Sequence, residues 1–107
     1  MTTMTKLLAI ATALAVSAVA QAGDPAAGKE KAKVCAACHG ENGISQAPDF
    51  PKLAGQYNDY LVRVMNDYKT GARKNAIMAG QVANLKKEDI ADLSAYFASQ
   101  QALVMKY

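Results

Sequence analysis

A single pentapeptide, Cys35-Ala36-Ala37-Cys38-His39, constrains this chain more than any other stretch of its sequence. Two cysteines three positions apart lie on the same face of a helical turn. Both sulfurs can then reach the two vinyl groups along one edge of a porphyrin, and the imidazole of His39 can bind the iron beneath the ring. Because Cys-x-x-Cys-His is the spacing that attaches a c-type haem, we predict one covalently bound haem c. Cys35 and Cys38 would form the thioethers, and His39 would be the proximal iron ligand.

Three other interpretations of the two cysteines are open. A thioredoxin-like redox pair expects a βαβ pattern, and the sequence shows no alternating strand pattern of useful length. A zinc site needs four ligands, and a chain with two Cys and one His would have to supply the fourth from a carboxylate. A structural disulfide gives no role to His39. Haem accounts for all three side chains at once.

The first 22 residues resemble a secretory signal peptide. Residues 1–6 end in a lysine, residues 7–19 are apolar and uncharged, and Ala20-Gln21-Ala22 matches a small-x-small cleavage pattern. The apolar run is shorter than the roughly 20 residues that a membrane span needs. We therefore expect cleavage after Ala22, or two residues earlier, and a periplasmic domain of residues 23–107 without stable membrane insertion. An uncleaved anchor is the alternative.

Size and charge narrow the classes of function. Cleavage leaves 85 residues, which build a thin core that a covalently attached apolar macrocycle would reinforce. The net charge of the full chain is only +3, and the sequence has no nucleic-acid-binding motif, so we expect no nucleic-acid partner. Lys29, Lys31 and Lys33 precede the haem motif. They form either a solvated helix face or a docking surface for an acidic partner.

The first part of the mature chain predicts a helix followed by a loop. Asp24 can cap a helix that has Pro25 in its first turn and continues to Cys38. Gly28 interrupts this helix, either because another element approaches closely or because the end tolerates it. Residues 40–55 contain three glycines and two prolines and predict a loop that lines the site. A carbonyl of this loop can accept the outer N–H of His39, and the rigid Pro51 suits that role.

Apolar periodicity predicts two further helices. The first has its stripe at Tyr57, Tyr60, Leu61, Val64, Met65 and Tyr68 and ends at Gly71. The second begins at residues 86–89, and its stripe comprises Ile90, Leu93, Phe97 and less regularly Tyr96, with residues 102–105 extending the pattern. Residues 72–85 are predicted as a second loop with room for a helical turn. The expected fold is all-α, with three main helices around one haem.

The ligand on the other side of the iron decides what such a haem can do. His39 is the only histidine, so a second histidine from this chain is excluded. Met78 is favoured because it lies between helices and precedes the small residues 79–80. Met65 falls on an apolar stripe, where methionine usually fills a core, and Met105 is close to the C-terminus. An open distal site is the remaining alternative.

The ordered motifs resemble one family. They are Cys35-Ala36-Ala37-Cys38-His39-Gly40, Pro51-Lys52-Leu53-Ala54-Gly55-Gln56, Tyr68-Lys69-Thr70-Gly71-x-Arg73, Met78 and Ile90-Ala91-Asp92-Leu93-Ser94-Ala95-Tyr96-Phe97. The chain resembles the short bacterial class I cytochromes c of the c-553 type, and one half of the periplasmic dihaem cytochromes c. The resemblance implies crossed terminal helices with Gly28 near Tyr96, a Pro51 carbonyl that orients His39, and Met78 as distal ligand. The sequence departs from the family at Lys31, where an apolar residue is usual.

The expected function is electron transfer and not enzymatic catalysis. Ligation by His39 and Met78 leaves no iron position for a substrate, so we expect a soluble periplasmic carrier that serves respiratory or dehydrogenase partners. Partners would dock transiently at the haem edge, and the protein would be a monomer or a weak dimer. Arg73 is a candidate partner for a haem propionate, with a solvated surface charge as the alternative. The alternative functions are the haem subunit of a periplasmic dehydrogenase complex, and a haem enzyme or gas sensor with an open distal site.

Overall fold

A computed structural model of the chain describes residues 23–100, which form five helices. They are α1 (Pro25–Lys31), α2 (Lys33–His39), α3 (Asn58–Thr70), α4 (Ala76–Val82) and α5 (Lys87–Ser99). No strand occurs among these residues, and the all-α prediction is confirmed. In the same range, none of the helices combines the length and the apolar character that crossing a bilayer requires. The predicted signal peptide, residues 102–105 and Met105 lie outside the described residues.

The predicted first helix is divided into α1 and α2. Asp24 caps α1 as expected, since its Oδ1 accepts a hydrogen bond of 2.9 Å from the Ala26 N–H. Ala32 separates the two helices and is buried, with 3% of its surface exposed. At this junction the Cys35 N–H donates to the Ala32 carbonyl (2.9 Å), the i to i+3 bond of a tightened turn. A continuous helix from residue 26 to residue 38 was therefore a wrong prediction.

The most extensive contact between helices is the crossing of α1 and α5. Gly28 lies at this crossing. A Cβ atom there would be 2.0 Å from the carbonyl oxygen of Asp92 and 2.7 Å from the Cβ of Tyr96. No side chain fits such a space, so the close approach that was one interpretation of Gly28 is confirmed.

Lys31 links the same two helices through charge. Its Nζ lies 2.8 Å from Oδ1 of Asp89 and 2.6 Å from Oδ2 of Asp92, both on α5. The second oxygen of Asp92 accepts a hydrogen bond of 2.8 Å from the Asp24 N–H, just before α1. At the position of Lys31 the family that this chain resembles usually has an apolar residue. Here the position holds an ion pair between the two helices.

The core is formed by α3 and α5 together with the α1–α2 junction. Its buried cluster comprises Ala32, Leu61, Leu93, Tyr96 and Phe97. α3 begins one residue after Tyr57 and ends before Gly71, as its periodicity predicts. Two tyrosines of the predicted stripe are nevertheless exposed, Tyr57 by 78% and Tyr60 by 46%. Leu61 is the buried residue of this stripe, and the partly buried Met65 packs against the same core.

Residues 72–85 are more ordered than predicted, because two turns of helix (α4) replace most of the expected loop. The Asn75 side chain caps α4, its Oδ1 accepting a hydrogen bond of 3.0 Å from the Met78 N–H. A helix of seven residues is too short to show a sustained apolar period, so α4 has no periodic signal in the sequence. Its one sequence signal is Asn75, because asparagine is a favoured capping residue. α4 packs against α3.

Candidate haem site

The two cysteines lie on α2 and are half-buried. No disulfide joins them. Burial, and to a smaller extent the neighbouring Cys38 sulfur, raises the pKa of the Cys35 thiol. α2 ends at His39, so one short helix carries both sulfurs and the imidazole. This is the local geometry that the spacing of the motif predicts.

His39 is the most buried of the predicted site residues. Only 6% of its surface is exposed, and its Nδ1 lies 2.8 Å from the carbonyl oxygen of Pro51. A carbonyl can only accept, so the proton of the neutral imidazole belongs on Nδ1. Nε2 then carries the lone pair that can bind iron. The structure brings together two residues that are twelve positions apart, and both were named from the sequence.

The loop that carries Pro51 is held by its own backbone. The carbonyl of Gly43 accepts hydrogen bonds from the N–H groups of Leu53 (2.8 Å) and Ala54 (3.1 Å). Gly43 has a φ of +82°, and a Cβ there would be 2.8 Å from both the Ala54 nitrogen and Cδ1 of Phe97. Only glycine meets both conditions. The loop therefore closes on itself and is pressed against α5.

A second set of contacts fastens the loop to α2. The hydroxyl of Ser45 lies 2.9 Å from the carbonyl oxygen of Ala47 and 3.4 Å from that of Cys38. The hydroxyl oxygen of Ser45 also accepts a hydrogen bond of 3.2 Å from the Ala47 N–H. The Ala47 carbonyl in turn accepts from the Phe50 N–H (3.2 Å). These bonds lead from the haem motif to the residue just before Pro51.

Phe50 is a site residue that the sequence analysis did not identify. Its ring centroid lies 6.3 Å from that of His39, and the two ring planes meet at 66°. This is an edge-to-face arrangement, which aromatic pairs favour. Its position next to Pro51 is the one feature of the sequence that could have drawn attention to it.

Met78 lies in the first turn of α4 and is half-buried. Met65 is also partly buried, but its side chain packs against the core cluster of Leu61, Leu93 and Phe97. Core packing is the role that the sequence analysis favoured for Met65. Met78 is therefore the described methionine that stays available as a distal ligand.

Arg73 is exposed and lies in the turn after α3. Its guanidinium carbon is 5.2 Å from the centroid of the Tyr68 ring, and its Nη1 is 3.4 Å from the hydroxyl of Tyr60. The hydrogen bond to Tyr60, followed by the effect of Tyr68, raises the pKa of Arg73. The structure thus places Arg73 against two tyrosines and apart from the contacts that surround His39.

The donor chemistry of these residues fits a c-type haem. Two thiols on one helical turn match the two vinyl groups, and a buried imidazole offers Nε2 to iron. A thioether is available on α4. For the zinc alternative, residues 23–100 contain no group of three or more His, Cys, Asp and Glu side chains able to hold a metal ion.

Comparison with known proteins gives related sequences. Cytochrome c4 of Pseudomonas aeruginosa is 55% identical over 83 residues, which are 78% of this chain and 41% of that protein. Cytochrome c-554(548) of Halomonas halodenitrificans is 45% identical over 83 residues, which cover 75% of this chain and the whole of that protein. The chain therefore spans about half the length of the cytochromes c4 but all of a shorter relative.

A solved structure and a family model agree with these relatives. The crystal structure of reduced recombinant cytochrome c4 from Pseudomonas stutzeri superposes with a TM-score of 0.74 at 44% identity. The match covers 78% of this chain and 48% of that one. The family model for cytochrome c matches residues 25–101, which include the haem motif, the Pro51 loop, α4 and α5. This chain belongs to the cytochrome c family, whose members carry covalently attached haem c.

Proposed function

We propose that this protein is a periplasmic electron carrier with one haem c. Cys35 and Cys38 hold the haem through thioethers, and His39 and Met78 are the two iron ligands. The observation that supports this proposal best is the buried His39 imidazole, whose Nδ1–H donates to the Pro51 carbonyl. That bond directs Nε2 towards the position of a metal.

His39 contributes more than a nitrogen atom. When bound, haem c supplies an iron that exchanges one electron between its ferrous and ferric forms. The Pro51 carbonyl keeps the proton on Nδ1, fixes the orientation of the ring and raises the basicity of Nε2. Burial of His39 removes water that would compete for this bond. Little has to move when the charge of the site changes, which favours rapid electron exchange.

Met78 would occupy the opposite position as a soft thioether ligand, which favours ferrous iron. The N–H of Met78 donates a hydrogen bond to the side chain of Asn75, which caps α4. The capping contact therefore also fixes the backbone position of Met78 in the first turn. A site with ligands on both sides has no position for oxygen or peroxide. This argues for electron exchange and against the enzyme or sensor alternative.

The lysines near the haem motif bear on how partners dock. Lys31 is paired with two carboxylates of α5, and Lys33 lies 2.6 Å from a carboxylate oxygen of Glu30. Their charge is thus partly neutralised within the protein. We infer that transient docking at the haem edge depends only modestly on ionic strength. A respiratory chain component or a dehydrogenase remains a suitable partner class.

Absorption spectra of the haem-loaded protein in both oxidation states test this function. We expect covalently bound haem and the weak ferric band in the near red that marks sulfur ligation of the iron. Met78→Ala should lose that band and bind carbon monoxide in the reduced state, whereas the matched control Met65→Ala should keep the band and lose packing in the core.

Four results would contradict the proposal. A colourless protein would exclude haem. Rapid carbon monoxide binding by the reduced wild-type protein would favour an enzyme or sensor with an open distal site. Loss of the band in Met65→Ala alone would make Met65 the ligand. Co-purification of a second chain in fixed ratio would identify a dehydrogenase subunit in place of a free carrier.

A further inference from the structure

We propose that Phe50 is a positioning residue for the His39 imidazole. Its ring covers the hydrogen bond between His39 and the Pro51 carbonyl and holds the plane of the imidazole. This inference rests on the proposed function, because it assigns a task to a neighbour of the proximal ligand.

The geometry gives Phe50 a role that the carbonyl alone cannot perform. A single hydrogen bond at Nδ1 leaves the imidazole free to turn about the N–H···O axis. The Phe50 ring meets the imidazole edge to face, at 6.3 Å between centroids and 66° between planes. This contact restricts the turning motion. Because Phe50 and Pro51 are adjacent, one dipeptide determines both the direction and the plane of the ligand.

Burial indicates that the same ring excludes water. Only 6% of the His39 surface is exposed, whereas Pro51 itself is exposed. Phe50 is half-buried and touches the imidazole that donates to this carbonyl. An apolar ring at that place lowers the local dielectric constant and strengthens the hydrogen bond.

The backbone of Phe50 is also held in place by hydrogen bonds. Its N–H donates to the Ala47 carbonyl (3.2 Å), and the Ala47 N–H donates to the Ser45 hydroxyl (3.2 Å). That hydroxyl lies 3.4 Å from the carbonyl oxygen of Cys38, the residue before His39. The ring is thus carried by a turn that is anchored to the end of the same helix as the ligand.

The test measures how fast the His39 Nδ1–H exchanges with solvent. The reduced, haem-loaded protein is transferred to heavy water, and the ring proton is followed by NMR. Phe50→Ala should raise the exchange rate by about tenfold or more, since water reaches the bond more often. Leu53→Ala is the matched control, because Leu53 is a half-buried residue of the same loop that packs against the core. In this control the rate should change by less than about threefold.

The backbone amide of Leu93 reports opening of the whole domain, since Leu93 on α5 is 1% exposed. Its exchange should be unchanged in Phe50→Ala. The inference is overturned if the ring proton of this variant exchanges at the wild-type rate, if Leu53→Ala has an equal effect, or if the Leu93 amide accelerates in parallel. Failure of the proposed function is distinguishable, because it appears in the absorption spectrum of the wild-type protein.

Discussion

The crossing of α1 with α5 and the loop of residues 40–57 are built from different kinds of contact. At the crossing, the two helices can approach because Gly28 has no side chain, and they are joined by the ion pairs of the Lys31 side chain. In the loop, backbone groups make most of the bonds, as the Gly43 and Pro51 carbonyls show. The crossing joins two helices, and the loop orients the His39 imidazole.

Gly28→Ala should have the largest effect. The new Cβ would lie 2.0 Å from the Asp92 carbonyl oxygen, so the two helices must separate. We expect a loss of about 3 kcal/mol in the free energy of unfolding, measured in guanidinium with the haem-loaded protein. Wild-type stability in Gly28→Ala would show that the crossing is not tightly packed.

Gly43→Ala tests the loop in the same way. Alanine at a φ of +82° costs about 1–2 kcal/mol, and its Cβ would crowd the Ala54 nitrogen and the Phe97 ring. We expect a loss of about 2 kcal/mol in unfolding free energy. Hydrogen exchange of the Leu53 and Ala54 amides, which bond to Gly43, should accelerate more than that of α1 amides. Uniform acceleration would mean that the loop and the crossing open together.

Ser94→Ala should stabilise the protein. The Ser94 hydroxyl on α5 is completely buried, and within residues 23–100 it has no hydrogen-bond partner. Removing an unpaired buried hydroxyl should raise the free energy of unfolding by about 1 kcal/mol. Ser99→Ala, which removes a hydroxyl bonded to the Tyr96 carbonyl (2.6 Å) on the exposed side of the same helix, should lose a few tenths of a kcal/mol. A loss in Ser94→Ala would show that the hydroxyl has a partner in solution.

Lys31→Met should have the smallest effect at neutral pH, because water and salt screen its partly exposed ion pairs. Its effect should depend on pH. Lys31 lowers the pKa values of Asp89 and Asp92 below the ordinary value of 3.8. The stability from this pairing is therefore present above pH 3.8 and is lost as the pH falls below it.

The two carboxylates in turn raise the pKa of Lys31 above 10.5. The stability that charged Lys31 contributes is therefore present below pH 10.5 and is lost as the pH rises above that value. Unfolding free energy measured from acid to alkaline pH should fall less at both ends in Lys31→Met than in wild type. Identical pH profiles would show that the ion pairs contribute nothing to the crossing.

The comparison also shows which parts of the molecule could be predicted. The periodic stripes located α3 and α5. Close approach was one of two interpretations of the glycine in α1, and the structure confirms it. The apolar periodicity could not distinguish buried from exposed tyrosines. Periodicity shows which residues share one face of a helix, but it does not show which other part of the protein covers that face. α4 was predicted only as a loop with room for a helical turn, because two turns are too short to show a period.

Lys31 shows the same limit at the crossing of α1 and α5. Its sequence position predicts an apolar contact or a solvated charge, and the structure instead gives it two carboxylates some sixty positions away. The role of Phe50 could likewise not be predicted, since Phe50 lies in an irregular loop and contacts the ring of His39, eleven positions earlier at the end of α2. Contacts of this kind follow no repeating spacing.

The sequence by itself determined the chemistry at one helical turn. Cys35, Cys38 and His39 are close along the chain, so a few backbone angles set their geometry and no other part of the protein is needed. Only the tertiary structure decided what lies around them: the Pro51 carbonyl on the imidazole, the Phe50 ring beside it, and the charge that joins α1 to α5. Those contacts depend on how distant segments pack, and packing is a property of the whole domain.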